Sequence, residues 1–496
     1  MHTSTEGQQV SPEQLGSTGP NGGDILVQVM RDAGVDVAFG VISIHNLPLV
    51  QAVDRELRFV PVRHEAAAVN AADGYARATG RIGVALTSTG TGAGNAAGSM
   101  LEALTAQSRV LHVTGNINAA LIGEHRGAYH EVPRQLAMLQ AVSQHAMRIE
   151  TPRQARVALT EAVRLLDTAP HGPVSIDWPI DLQYTADPDA QNKVEDRSPT
   201  VRTGTQRDIE RAVKLMATAK RPLIWAGGGA RRVGEPLANL AEAWGAGVLT
   251  GTNGRGSVPE DHPLVVGNFA GDDAVAALVA EADCLLTIGS HLRPSETGNG
   301  SLPLPEAHVQ VDLDEDALGR NFPIRVGIQA DATVAVPALL DALGGSDTDG
   351  DWAQRVAGAA ASARATLRET IGAYAPICDS LRKRLPRRAP IVRELGVLAA
   401  ERPHVVLVVF NDGGYGVLRN MQAAAGDPTH AVDLATPDLK RLAGAYGLKH
   451  TRVGDPEGFD LALKKAVKKA RPMLIEVDVN ALEPAPADLV PPAEVP

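Results

Sequence analysis

Short apolar runs alternate along this chain with longer stretches in which apolar residues return every third or fourth position. That is the pattern of strands and helices taking turns in an α/β fold. Residues 25–33 read as a helix and 35–40 (VDVAFG) as a strand, followed by a turn, 41–48, that carries His45 and Asn46. A second strand-like run, 59–62 (FVPV), leads into residues 63–80, RHEAAAVNAADGYARATG, and puts Glu65 where a strand ends and a helix begins. Val69, Ala72 and Ala76 give this helix a narrow small-residue face suited to close packing. Gly80 suits the left-handed conformation of a helix end. Residues 82–87 form a strand that runs into STGTGAGN (88–95). There Gly90, Gly92 and Gly94 let the backbone turn sharply into a helix whose free first amides can hold polar or anionic groups. A strand at 110–114, a loop GAYHE (127–131) with His130, and a buried strand in 172–181 (GPVSIDWPID) complete this first set.

Residues 186–205 mix charges with Pro and show no period, so they read as a linker. A second set follows, with a helix at 209–219, a strand at 222–226, a Gly227-Gly228-Gly229 turn, and strands at 284–289 and 308–312. The glycine turn lacks complete GxGxxG spacing and an acidic residue at the ribose-binding distance, which favours a structural role over a dinucleotide site. The stretch GGSDTDGD from residue 344 is another break. Beyond it, the run VVLVVFNDGGYG from residue 405 reads as a buried parallel strand with a loop. LKRLAGAYGL (439–448) reads as a helix and PMLIEV (472–477) as a last strand, before a Pro-rich tail.

At 496 residues the chain exceeds one core, and its length predicts about three domains. A net charge of −11 without a basic stripe argues against nucleic acid as a partner. No apolar run approaches the length of a membrane helix, and the polar first residues contain no signal core. Two cysteines, Cys284 and Cys378, cannot build a disulfide framework and fit a reducing compartment. The expectation is a cytoplasmic protein with no membrane partner.

Taken alone, Glu65 reads as an acid complementing a helix dipole. The whole 63–80 stretch, however, closely resembles the signature of the thiamine-diphosphate (ThDP) enzymes of the acetolactate synthase, benzoylformate decarboxylase and pyruvate decarboxylase superfamily. In that family the corresponding Glu activates the cofactor. GAYHE is similar to the GAFQE stretch of acetolactate synthases, with His130 in place of Gln, and 88–95 resembles the segment lining the aminopyrimidine pocket. The loop bearing His45 borders the family's active site, although Ile42 and Ser43 stand where Pro-Gly is usual. The resemblance implies three doubly wound parallel-sheet domains. These are a pyrimidine-binding domain (23–185), a Rossmann-like central domain (206–345), a connection (346–375) and a diphosphate-binding domain (376–482), with tails at 1–22, expected disordered, and 483–496.

It also implies decarboxylation of a 2-oxo acid through a cofactor ylid and enamine, then protonation or transfer to a second carbonyl. Glu65 would be the activating carboxylate, and His130 and His45 candidates for proton transfer; a loop or turn histidine is the blander reading of each. Gly90, Asn95, Asn411, Asp412, Gly414 and Tyr415 would line the cofactor, and Asp412 with the Gly414 carbonyl would bind Mg²⁺ or Ca²⁺. A homodimer or homotetramer follows, because family sites lie between subunits. FAD on the central domain is an alternative that the glycine turn does not favour.

One departure is large. The family's GDG motif occurs nowhere in the sequence, and the flanks expected around it meet near 393/394, so the third domain reads as incomplete. Omission of an internal segment is the favoured explanation, with a truncated relative the other. Two competing functions stay open: an inactive homologue with a binding or assembly role, and a flavin or nicotinamide oxidoreductase using the Gly227 turn.

Overall fold

The computed structural model of the chain describes residues 20–187, 202–345, 347–385, 404–414, 416, 419, 422, 432–433, 436–469 and 471–482. The junction at 393/394, Tyr415, and all or most of the expected tails and linker fall outside these residues. Thr200–Gly372 forms one compact unit, and the regions before Pro199 and after Ala373 chiefly form another.

In the second of these units the N-terminal region builds a six-stranded sheet in the order β2-β1-β3-β4-β6-β5. Its strands are β1 (Val37–Gly40), β2 (Arg58–Pro61), β3 (Gly83–Thr87), β4 (Val110–Asn116), β5 (His145–Arg148) and β6 (Val174–Pro179). Every pairing is parallel. β3, β4 and β6 are buried along their whole length, because helices cover both faces of a parallel sheet. Ile25, Leu49, Leu111 and Ile176 belong to the core on one face; Ala68, Ala72, Ala96 and Met100 belong to the core on the other. The chain steps from β1 outward to β2, then returns to β3 on the far side of β1. Ligands of open α/β sheets bind at the carboxyl ends of strands beside such a reversal.

Thr200–Gly372 carries β7 (Pro222–Ala226), β8 (Gly247–Thr250), β9 (Val265–Gly267), β10 (Cys284–Ile288), β11 (His308–Asp312) and β12 (Val326–Gln329) in the order β12-β11-β10-β7-β8-β9. Read from β9, this is the 3-2-1-4-5-6 order of dinucleotide-binding folds. The Gly227 turn lies at its reversal and is spent on packing. Gly227 and Gly229 donate their amides to Ile288 O at 2.8 Å and Gly289 O at 3.1 Å. The Trp352–Ile371 helix completes this unit, with buried Trp352 donating from Nε1 to Pro222 O at 3.0 Å.

The C-terminal region holds a three-stranded parallel sheet, β13-β15-β14, from β13 (Val406–Asn411), β14 (Lys449–Val453) and β15 (Met473–Asp478). The expectation of a buried strand at β13 needs correction. β15 is buried nearly throughout, whereas β13 is half-buried and its Phe410 is 46% exposed. Core packs on both faces of β13, but among the described residues it pairs only with β15, leaving its other edge open. β14 is also an edge, and it carries the charged residues Lys449 and Arg452 that discourage further pairing. The Arg63 guanidinium lies 5.9 Å from the Tyr446 ring centre, joining the N-terminal and C-terminal parts of the unit.

Candidate active site

Glu65 opens the Glu65–Thr79 helix. His64 caps the helix, its Nδ1 accepting from Ala66 N at 3.2 Å, and Gly80 ends it at φ 71°. Glu65 is only 9% exposed. Its Oε2 accepts from Asn95 Nδ2 at 3.0 Å, and its Oε1 accepts no hydrogen bond from the described residues. The helix opposite must come close here, and Gly92 allows it, since a Cβ at that position would lie 2.8 Å from Glu65 Oε1.

The turn before that helix departs from expectation in one respect. Gly90 sits at φ 59° and does supply the sharp turn, but its amide is not free: it donates to Gln135 Oε1 at 2.7 Å. Gly92 N is likewise taken, by Thr89 O at 3.0 Å. Gly94 has open space around it. Gly90 and Gly92 therefore serve close approach rather than an anion nest.

His45 lies on the loop after β1 and is 3% exposed. Asn46 pins that loop across the Ile42-Ser43 departure. Its Nδ2 donates to Val41 O at 2.9 Å and Thr87 O at 3.0 Å, while its Oδ1 accepts from Ser43 N at 2.8 Å. His130 has φ 65°, and its ring stands 5.8 Å from that of His45, edge to face. Burial, and secondarily the charge of His130, pull the His45 pKa below the ordinary imidazole value. Glu131 shapes the His130 loop, its Oε2 accepting from Gly127 N at 2.9 Å and Ala128 N at 3.0 Å. A Cβ on Gly90 would meet His130 O at 2.3 Å, and one on Gly115 would meet His45 O at 2.1 Å. Contacts thus run without a break from Glu65 through Gly92 and Gly90 to His130 and His45, along the carboxyl ends of β1, β3 and β4.

Behind this row lies a buried polar network that the sequence reading missed. Asp177 is fully buried; its Oδ2 accepts from Arg148 Nε at 2.7 Å, and its Oδ1 from Asn116 Nδ2 at 2.8 Å and Gln135 Nε2 at 3.0 Å. Burial holds its carboxyl above the usual carboxylate range despite those partners. The available signal was Ser175 and Asp177 alternating inside an otherwise apolar buried strand.

In the C-terminal sheet, Asn411 donates to Glu476 Oε1 at 2.9 Å, and its Oδ1 accepts from Gly413 N at 3.2 Å. Asp412 Oδ1 accepts from Gly414 N at 3.1 Å, and Oδ2 from Gly416 N at 2.9 Å. Asp412 therefore shapes its own loop, although carboxylate oxygens so engaged retain lone pairs. Among the described residues no three His, Cys, Asp or Glu side chains group as a metal site. The fit to ThDP is accordingly uneven: Glu65 and Asn95 present a fixed buried carboxylate suited to an aminopyrimidine, while among the described residues the expected metal end offers Asp412 and the Gly414 carbonyl alone.

Three family models match in order. The N-terminal TPP-binding domain of thiamine pyrophosphate enzymes matches residues 20–147, the central domain 209–339, and the C-terminal TPP-binding domain 389–477. The chain belongs to the thiamine pyrophosphate enzyme family. It is 29% identical to a probable 2-ketoarginine decarboxylase of Pseudomonas aeruginosa over 82% of this chain and 75% of that protein. It is 33% identical to a probable acetolactate synthase large subunit of Methanocaldococcus jannaschii, over 65% of this chain and just 56% of that protein. An acetolactate synthase of Arthrospira platensis is 26% identical over 92% of this chain and 93% of its own length. That alignment runs over 545 residues, more than the 496 of this chain, so the relative contains residues with no counterpart here. No described helix is long and apolar enough to cross a membrane.

Proposed function

We propose that this chain is a ThDP-dependent enzyme that decarboxylates a 2-oxo acid and passes the acyl unit either to a proton or to a second carbonyl compound, in the manner of acetolactate synthase. The single observation that carries this is the Glu65 carboxylate, with one oxygen fixed by Asn95 and the other unpartnered among the described residues, beside the chain reversal of the first sheet. ThDP, when bound, supplies a carbon nucleophile and an electron sink. Glu65 would hold the aminopyrimidine ring nitrogen and, by stabilising its protonated form, favour the tautomer that activates the cofactor. The site is partly shielded from water, where a preorganised contact acts strongly.

His45 and His130 would manage protons on the substrate side. The low pKa of His45 keeps it neutral at physiological pH, so it can accept a proton there. Gly90, Asn411, Asp412, Gly414 and Tyr415 remain assigned to cofactor contact, with Mg²⁺ or Ca²⁺ on Asp412 and Gly414. A homodimer or homotetramer is proposed because the two halves of such a site belong to different domains. The named relatives act, by their names, on 2-ketoarginine or form acetolactate, which sets the substrates to try. The test is to supply ThDP, Mg²⁺ and a panel of 2-oxo acids including pyruvate and 2-ketoarginine, and to follow CO₂ and organic products. Release of CO₂ dependent on ThDP supports the reading; none from any acid refutes it.

A further inference from the structure

Gln135 opens the Gln135–Val142 helix, directly after the loop that carries His130, and it is 1% exposed. Its buried neighbours one and two turns on, Leu139 and Val142, are apolar, as packing against a sheet requires. A buried amide at this position is unfavourable unless its hydrogen bonds are made. All four are. Oε1 accepts from Thr89 Oγ1 at 3.0 Å and Gly90 N at 2.7 Å, and Nε2 donates to Gly115 O at 2.9 Å and Asp177 Oδ1 at 3.0 Å. The orientation of the amide is unambiguous, because a backbone N–H faces one end and a backbone carbonyl the other.

The two backbone points it holds are the ones that press on the histidines. Gly90 lies against the His130 carbonyl so closely that a Cβ would come within 2.3 Å of it, and a Cβ on Gly115 would come within 2.1 Å of the His45 carbonyl. We propose that Gln135 is a positioning residue: its amide fastens Gly90 to Gly115 and thereby sets the separation of His130 and His45 beside Glu65. The inference rests on the assignment of those three as site residues. Asp177, clamped by Arg148 and Asn116, keeps the amide from swinging away. Gln135 touches neither imidazole. It acts through backbone, in a network of buried hydrogen bonds that polarise one another.

The test reads the His45 imidazole directly by NMR titration of the full chain, without cofactor or substrate. The wild type titrates below the ordinary imidazole value, through burial and the nearby His130. In Gln135→Met, which keeps bulk and removes all four bonds, the His45 midpoint rises by about half a pH unit or more, as expected when a ring leaves a buried, charge-coupled position. Thr89→Val, which removes one bond, moves it less in the same direction, and decides the matter if Gln135→Met does not fold. Leu159→Ala, a fully buried core residue of the same domain, lowers the melting temperature and leaves the midpoint alone. An unchanged His45 midpoint in both network variants overturns the inference, as does an equal shift in Leu159→Ala. A protein that shows the shift yet releases no CO₂ from any 2-oxo acid refutes the functional reading instead.

Discussion

Asn95 donates from Nδ2 to Glu65 Oε2 at 3.0 Å, while Oε1 accepts no hydrogen bond from the described residues. Two helix starts meet in this contact, so a short side chain on one orients the carboxylate on the other. Asn95→Leu removes the anchor while changing an exposed position, so stability should alter by no more than about 0.5 kcal/mol. Turnover should fall about ten- to a hundredfold, the equivalent of one hydrogen bond to a charged group. Paired melting curves and rate measurements check this; a large melting change with wild-type turnover would contradict it.

Arg148 and Asp177 make a separate case, because the carboxylate is fully buried and the guanidinium half-buried. Arg148→Met leaves the Asp177 carboxylate without its cation, and should destabilise the protein by about 3–5 kcal/mol. Burial already raises the Asp177 carboxyl, and loss of Arg148 raises it further. A group whose folded pKa is raised binds more protons in the folded state, so the deficit relative to wild type should shrink as pH falls. Denaturant melts of both proteins at neutral pH and near pH 5 measure it.

Much of this architecture is legible in the chain, and most of what is not shares one cause. The buried strands β1, β3, β4, β6, β7, β10, β11 and β15 announce themselves as apolar runs. β5, β8, β9, β12 and β14 went unread, and all but β8, a buried central strand of only four residues, are edges of their sheets. Edge strands are short or polar: His145–Arg148 and Lys449–Val453 carry histidine, arginine and lysine where a central strand would carry valine. β13 shows the converse, a run reading as central that stands at an edge. Glu65 and Asn95 were legible because their surroundings resemble a family signature. Gln135 was not, since its role depends on four partners from three strand ends that only folding brings together.

Acid should weaken the fold through two further histidines. His112 lies between Thr87 Oγ1 at 2.8 Å and Ser175 Oγ at 3.1 Å, and His308 meets Thr287 Oγ1 at 2.9 Å. Burial pulls each pKa from 6.5 to about 4. Above pH 6.5 both states are neutral and nothing is lost. Between 6.5 and 4 the unfolded chain takes up protons that the folded chain refuses, so stability falls with pH, and below about 4 the effect levels off. Linkage puts the loss on the order of 3 kcal/mol for each group. Denaturant melts across this range should show it, with a smaller loss in His112→Asn.

The edge of β13 that no described strand pairs bears on cofactor affinity. As proposed, Asp412 and the Gly414 carbonyl would give two protein ligands to an ion that takes six or more, and phosphate and water would have to supply the rest. The chain as it stands should bind ThDP and Mg²⁺ weakly. A version with a GDG-containing segment inserted near 393/394 should bind them tightly. Calorimetric titration of both proteins distinguishes the cases, and equal tight binding would mean that some other residue replaces the missing aspartate.

The central claim is that Glu65 activates the cofactor, and the most direct measurement is the rate at which the thiazolium C2 proton of ThDP exchanges with deuterium, followed by quenched NMR. ThDP and Mg²⁺ are held at concentrations saturating for each protein, so weak binding does not enter. The wild-type chain should accelerate exchange over free ThDP, and Glu65→Gln should lose about 10²–10³ of that acceleration while melting at nearly the same temperature. Equal exchange rates in the wild-type and Glu65→Gln proteins would contradict the claim.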